Sequence, residues 1–279
     1  MIFQVSHLDD PRLTPFRGMR SANWTVGSGW FIAEGPRLVE RLLRSSFGVH
    51  SLLLSEKYSH EWVDRIPAET PTLVVAEELI PELLGFNFHR GIIACGLRKT
   101  PLVLRETLSE PLSRQATLVA VHGVQDPENL GGILRSCAAL GIEHILIGPK
   151  SADPLCRRVL RVSMGTVLNL KLINAPDLLT DLVWLREQHG AQSVATTLAA
   201  DSEALEQAGR SGPLVILLGN EAFGLPRELQ QAADRRVRID MQLGTDSLNV
   251  SVAAGIVLHH FCRVAVNTNS GALASGSVT

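Results

Sequence analysis

Between Thr117 and Val264 short, largely apolar runs alternate with segments of helical spacing, and this alternation restricts the fold more than any other feature of the chain. TLVAVHGV (117 to 124), IEHILIG (142 to 148), VLNLKLI (167 to 173), SVATTL (193 to 198), PLVILLG (213 to 219) and RVRIDM (236 to 241) read as strands, several of them apolar throughout. A run with no polar face is what a strand covered on both sides needs. GGILRSCAALG (131 to 141) and DLLTDLVWLREQHG, stopped by Gly190, read as helices. A last helix is expected from an N-cap at Ser247, with Val250, Ala253, Ala254, Val257, Phe261 and Val264 on one face. Such alternation predicts an α/β fold: a mostly parallel sheet with helices on both faces.

The first hundred residues read as a smaller α/β domain. FIAEGPRLVERLLRSS carries Leu38, Leu42 and Leu43 at helical spacing, and SLLLS, PTLVVA and the end of GFNFHRGIIACGL read as strands. Residues 1 to 23, punctuated by Pro11, Pro15 and Gly18 and holding Arg12, Arg17 and Arg20, are expected to form a flexible arm. The expected divisions are thus an arm at 1–23, a domain at 24–98, a linker at 99–116 with two prolines and no periodicity, a domain at 117–266, and a disordered tail at 267–279.

Of the 279 residues, 45% are hydrophobic and 19% charged, enough for a substantial core in each domain, and the formal net charge of -2 gives no field over the whole chain that would attract a polyanion. Cys95, Cys137, Cys156 and Cys262 lie far apart among apolar neighbours with no CxxC pair, which predicts reduced core thiols in a cytoplasmic protein. No export signal and no apolar run of membrane-spanning length is read, so no membrane partner is expected. His259 and His260 diverge by about 100° on a helix, so no metal site is expected. No strand is followed by GxGxxG or GxxxxGK[ST], which removes the main support for dinucleotide and NTPase chemistry.

In an open parallel sheet, ligands collect beyond the carboxyl ends of the strands. Three loops there are unusual. QDPENLGGILRS (125 to 136) brings Asn129, two glycines and Arg135 to a helix start. LLGNEAFGLP (217 to 226) sets Gly219, Asn220, Glu221 and Gly224 directly after a buried strand. IDMQLGTDSLNVSVAAG (239 to 255) places Ser247 and Asn249 at the start of the last helix. Each alone also reads as ordinary capping and turn chemistry.

Taken in order, NLGGILRSCAALG, LLGNEAFGL and IDMQLGTDSLNVSVAAGI resemble the three motifs of the SpoU (TrmH-type) branch of the SPOUT RNA methyltransferases, over about residues 117 to 265. The segment from about 24 to 98 more faintly resembles the family's substrate-binding domain, which is similar to RNA-binding ribosomal proteins. The resemblance implies a deep C-terminal trefoil knot holding S-adenosylmethionine, a homodimer built across the knot, and methyl transfer to a ribose 2'-hydroxyl of RNA, with ribosomal RNA favoured over transfer RNA. It assigns Gly219, Ile239, Leu248, Asn220 and Thr197 to the cofactor. It assigns Asn129, Arg135, Glu221, Ser247 and Asn249 to RNA binding or transfer, with Arg135 the proposed acceptor of the hydroxyl proton in a site shared between subunits. A guanidinium is hard to deprotonate at neutral pH, so both an activated base and a phosphate clamp stay open for that residue. The pattern departs at Asp240, where proline is usual, and at Ser136, where threonine is common.

Local charge supports a polyanion. Lys150, Arg157, Arg158 and Arg161 face Asp153 alone between 150 and 165, and Arg157, Arg158 and Arg161 are the expected RNA contacts. Residues 227 to 238 add four arginines against Glu228 and Asp234. Two other readings stand beside this one: an RNA-binding or ribosome-assembly protein of the same fold without transfer activity, which Asp240 favours, and an enzyme methylating a base.

Overall fold

The structure, a computed structural model, describes residues 1–17, 19, 27–86, 88 and 90–264; the tail expected over 267 to 279 and Arg20 of the expected arm lie outside the described residues. In chain order the first elements are β1 (Ile2–Val5), β2 (Trp30–Glu34), α1 (Pro36–Arg44), β3 (Val49–Ser55), α2 (Ser59–Trp62), β4 (Thr72–Val75), α3 (Ile80–Leu84) and β5 (Ile92–Leu97). There follow β6 (Leu102–Val103), α4 (Leu104–Thr107), β7 (Thr117–Val121), α5 (Pro127–Ala139), β8 (His144–Ile147), α6 (Arg157–Val162), β9 (Lys171–Asn174) and α7 (Leu178–His189). The chain continues through β10 (Gln192–Thr196), β11 (Glu203–Ala204), β12 (Leu214–Leu218), α8 (Arg227–Ala232), β13 (Arg235–Arg238) and α9 (Val250–Arg263).

Two compact units form. One comprises residues 1–101, 125–139 and 152–171, the other residues 102–124, 140–151 and those from 172 on.

The first unit holds a mixed five-stranded sheet in the order β1-β4-β3-β5-β2. Leu53, Leu73, Val75, Ile93 and Cys95 build its core. α5 and α6 belong to this unit and pack closely at Gly131, where an added Cβ would lie 2.8 Å from the Val162 Cβ. That glycine therefore serves helix packing.

The second unit holds an eight-stranded sheet in the order β11-β13-β10-β12-β7-β8-β9-β6. The recorded pairings are all parallel, as in β12 on β7 with Leu214↔Thr117 through Leu218↔Val121, so the mostly parallel sheet expected from the alternation is what forms. Leu118, Ala120, Leu146, Val215 and Leu217 turn one face of the sheet toward Leu178, Leu182 and Leu185 of α7.

Four local expectations are corrected. The described part of the expected arm is built into the fold: β1 pairs with β4 from Ile2↔Thr72 to Val5↔Val75, and Leu13 and Phe16 are wholly buried. The two share a face of a short 3-10 turn over Pro11–Phe16, where residues three apart eclipse, so the prolines there mark a tight turn rather than freedom. The linker at 99–116 supplies β6, which pairs with β9, and it buries Leu104 and Leu108 in the second unit's core. Of the strand expected over 167 to 173 only the end from Lys171 forms, in β9, while Thr166–Asn169 make a 3-10 turn behind Gly165, whose φ of 78° only glycine adopts readily. α9 begins at Val250 with Asn249 as its cap, not at Ser247.

Candidate functional site

β7, β10, β12 and β13 run in one direction, so their carboxyl ends share an edge of the sheet. Beyond that edge a cavity of about 470 Å³ opens, within the range of small-molecule sites. Its walls come from the loops after β10, β12 and β13 and from the start of α9, and they include Thr197, Gly219, Asn220, Ile239 and Leu248. These are the five residues that the resemblance assigned to a cofactor, here lining one cavity. Glu221 and Ser247 line it as well.

The loop after β12 is the most constrained wall. A Cβ on Gly219 would come within 2.3 Å of the Gly224 carbonyl carbon and of the Leu225 nitrogen, so no side chain fits without moving backbone. Asn220 and Gly224 exchange two backbone hydrogen bonds of 3.0 and 2.9 Å, closing a tight turn that Gly224 completes at φ 67°. The Asn220 Oδ1 accepts from the backbone N–H groups of Ala222 and Phe223 at 2.9 and 3.0 Å, while its Nδ2 donates to the Gly123 carbonyl at 2.7 Å. Asn220 thus ties the loop to the end of β7. Glu221 is exposed, and its carboxylate accepts from Asn220 Nδ2 at 3.2 Å.

The opposite wall is held by a chain that the sequence did not suggest. Thr197 Oγ1 donates to Gln230 Oε1 at 3.1 Å, and Gln230 Nε2 donates to the Leu225 carbonyl at 2.8 Å. Gln230 lies on α8 among polar residues and gives no signal in one sequence that sets it apart. After β13, Ile239 is half-buried at the cavity, and the Asp240 carboxylate accepts from Arg238 Nε at 2.7 Å. The negative charge of Asp240 is therefore paired.

Asn249 Oδ1 accepts from Ser251 N–H at 2.9 Å and from its hydroxyl at 2.7 Å, so it is a helix cap beside the cavity. Asn129 is buried in the first turn of α5, and Arg135 is exposed about two turns along it. Both belong to the first compact unit, whereas every residue lining the cavity belongs to the second.

The arginines expected to meet RNA are engaged inside the first unit. Arg157 pairs with Glu34 at 2.8 Å, donates to the Met19 carbonyl at 3.0 Å and lies 4.5 Å from the centre of the Phe86 ring. Arg158 pairs with Glu128, and Arg161 is half-buried; Asp153, their one acidic neighbour, is held by Arg98 at 2.5 Å. Around 227 to 238, Arg235 pairs with Glu203 and Arg236 with Asp201. The field these patches project is weaker than their residue count suggests.

His122 stands just past β7 in the second unit, its Nδ1 buried without a hydrogen-bond partner among the described residues. Burial first, and the Lys150 charge second, hold its pKa below the ordinary histidine value.

The chain is similar to known proteins. Residues 116–259 match the model of the SpoU rRNA Methylase family. An uncharacterised tRNA/rRNA methyltransferase of Mycobacterium bovis is 33% identical over 91% of this chain and 90% of its own length. The 23S rRNA (guanosine-2'-O-)-methyltransferase of Acinetobacter baylyi is 31% identical over 67% of this chain and 76% of its own. The crystal structure of an AdoMet-bound rRNA methyltransferase from Sinorhizobium meliloti superposes with a TM-score of 0.80 at 27% identity, covering 94% of this chain and 98% of that one.

Proposed function

This chain belongs to the SpoU rRNA methylase family, and from that premise we propose that it transfers a methyl group from S-adenosylmethionine to a ribose 2'-hydroxyl of RNA, ribosomal RNA being favoured. The observation that carries this reading is the cavity at the parallel strand ends, lined by Thr197, Gly219, Asn220, Ile239 and Leu248. Its size suits the cofactor, and Gly219 lets this wall close tightly, since any Cβ there would strike the Gly224–Leu225 backbone. S-adenosylmethionine supplies a methyl already activated by a sulfonium centre. The work left to the protein is to hold the ribose oxygen in line with it and to exclude water, and positioning of that kind supplies most of the rate.

In this reading Gly219, Ile239 and Leu248 hold the cofactor largely through backbone groups, with Asn220 and Thr197 fixing the loops that do so. Glu221, Ser247, Asn249, Asn129 and Arg135 orient RNA, and Arg135 accepts the hydroxyl proton or clamps a phosphate. Arg157 and Arg158 add phosphate contacts by exchanging Glu34 and Glu128 for RNA, and Arg161 adds a third. Residues 24–98 serve as the RNA-binding domain and 117–266 as the catalytic one, with the C-terminal trefoil knot around the cofactor. The enzyme acts in the cytoplasm as a homodimer; Val252 and Ile256, exposed one turn apart on α9, support a self-association surface.

The reading without transfer activity rested on Asp240, whose charge Arg238 neutralises. The decisive experiment incubates the protein with tritium-methyl S-adenosylmethionine and total RNA from a strain lacking its gene, then digests to nucleosides. Label in a 2'-O-methylnucleoside is the expected result. Label in a base-methylated nucleoside, or none, would replace the reading with one of the two alternatives.

A further inference from the structure

Phe223 is 90% exposed, whereas the chain's seven other phenylalanines are buried or half-buried. Its exposure is built in. The residue lines the cavity, and its own N–H and that of Ala222 are both taken by Asn220 Oδ1. The two backbone hydrogen bonds between Asn220 and Gly224 close the turn beneath it. The backbone under the ring is thus held in place, and a large apolar surface stands in water at the cavity. Four residues on, Arg227 opens α8 as an exposed cation with no hydrogen bond or ion pair to the described residues. A flat apolar face followed four residues later by an exposed cation matches a nucleotide, a π-face carrying a phosphate, better than it matches a second protein surface.

We propose that Phe223 is the platform on which the base of the target nucleotide stacks, so that the RNA is taken as an unpaired nucleotide in a loop or bulge. This deepens the methyltransferase reading and rests on it. A stacked base would fix the nucleoside beside the cavity mouth and so bring its ribose to the methyl group, while the sequence-tolerant π-contact leaves base identity to other residues.

The test uses the full-length protein, tritium-methyl S-adenosylmethionine and total RNA from a strain lacking the gene, with Phe223→Ala, Phe223→Leu, Phe223→Tyr and Phe223→Trp. The Ala and Leu variants should raise the KM for RNA about tenfold or more, the size of one lost stacking contact. Tyr and Trp should restore it, and in the Ala and Leu variants the rise in KM for RNA should exceed any fall in cofactor affinity by calorimetry. Rescue by Leu, a fall in cofactor affinity as large as the rise in KM, or an unchanged KM for RNA would each overturn the proposal while leaving methyl transfer intact. So would conversion of a dimer to a monomer by Phe223→Ala in sedimentation, which would make the ring a contact between copies. No labelled RNA from the unsubstituted protein would remove the proposal together with the reading beneath it.

Discussion

At the scale of single residues, Gly219 makes the sharpest claim. An added methyl would meet backbone at 2.3 Å on two atoms of the turn that walls the cavity. Backbone closed by its own hydrogen bonds cannot give way locally, so even Gly219→Ala should reshape the loop. We expect cofactor affinity measured by calorimetry to fall at least about tenfold, the equivalent of about 1.4 kcal/mol. Affinity within a factor of two would mean that the cofactor binds elsewhere. His122 makes a claim about pH. Its folded pKa lies below its unfolded value, so between the two the unfolded chain binds more protons and stability falls with falling pH. The contribution is complete above about pH 6.5 and is lost as pH drops through the lowered folded value. The melting temperature of the native protein should therefore fall more steeply from pH 7.5 to pH 5 than that of His122→Asn. Parallel curves would show that the imidazole is solvated in the folded protein as it is in the unfolded one.

Among elements, α9 carries the functional burden, because its first turn borders the cavity while its last turn is anchored far along the chain. Arg210, only 2% exposed, donates to the carbonyls of Phe261, Ala116 and Gly212 at 2.9, 2.7 and 3.2 Å, and to Thr117 Oγ1 at 3.2 Å. Among the described residues it has no carboxylate partner; carbonyl dipoles take the place of water around the buried cation. The Ala116 carbonyl also accepts from Leu214 N–H at 3.0 Å, so Arg210→Leu would strip a donor chiefly from Phe261 and Gly212, at about 1–3 kcal/mol each where they stay buried, and we expect a loss of at least about 2 kcal/mol in urea unfolding. An unchanged midpoint would mean that water reaches the site. Arginine in a polar stretch such as QAGRSG carries no mark of burial, so this anchor was not legible in the sequence. The central strands were, because runs such as LVILL have no polar face to present to solvent. β1 and β6 were not, since four and two residues are too few to show a period. Ser247 and Asn249 are both good cap residues two positions apart, and only the backbone geometry selects Asn249. Within the site, glycines and amides at strand ends announced the cavity. Phe223 and Gln230 did not, because an aromatic beside a buried strand reads as core and a glutamine on a helix as surface.

For the whole molecule, the residues assigned to chemistry fall in two groups: Asn129 and Arg135 in one compact unit, Gly219, Glu221 and Ser247 in the other. If the active site is shared between subunits, each site draws the two groups from different copies. A net charge of -2 puts up little repulsion against pairing, and Val252 and Ile256 on α9 are 51% and 41% exposed on the side away from buried Ala254, Leu258 and Phe261. Val252→Glu with Ile256→Glu should convert a dimer to a monomer in sedimentation velocity while keeping the circular dichroism of the native chain. Complementation then tests the sharing itself. Arg135→Ala should abolish transfer while leaving cofactor affinity nearly intact, and Gly219→Val should abolish both. Co-refolded in equal amounts, the two inactive chains should regain roughly a quarter of native activity, because half of randomly paired twofold dimers are mixed and each mixed dimer has one site with both groups intact. Activity that stays at the level of the separate variants, in a preparation shown by mass to contain mixed dimers, would mean that Arg135 serves the cavity of its own chain.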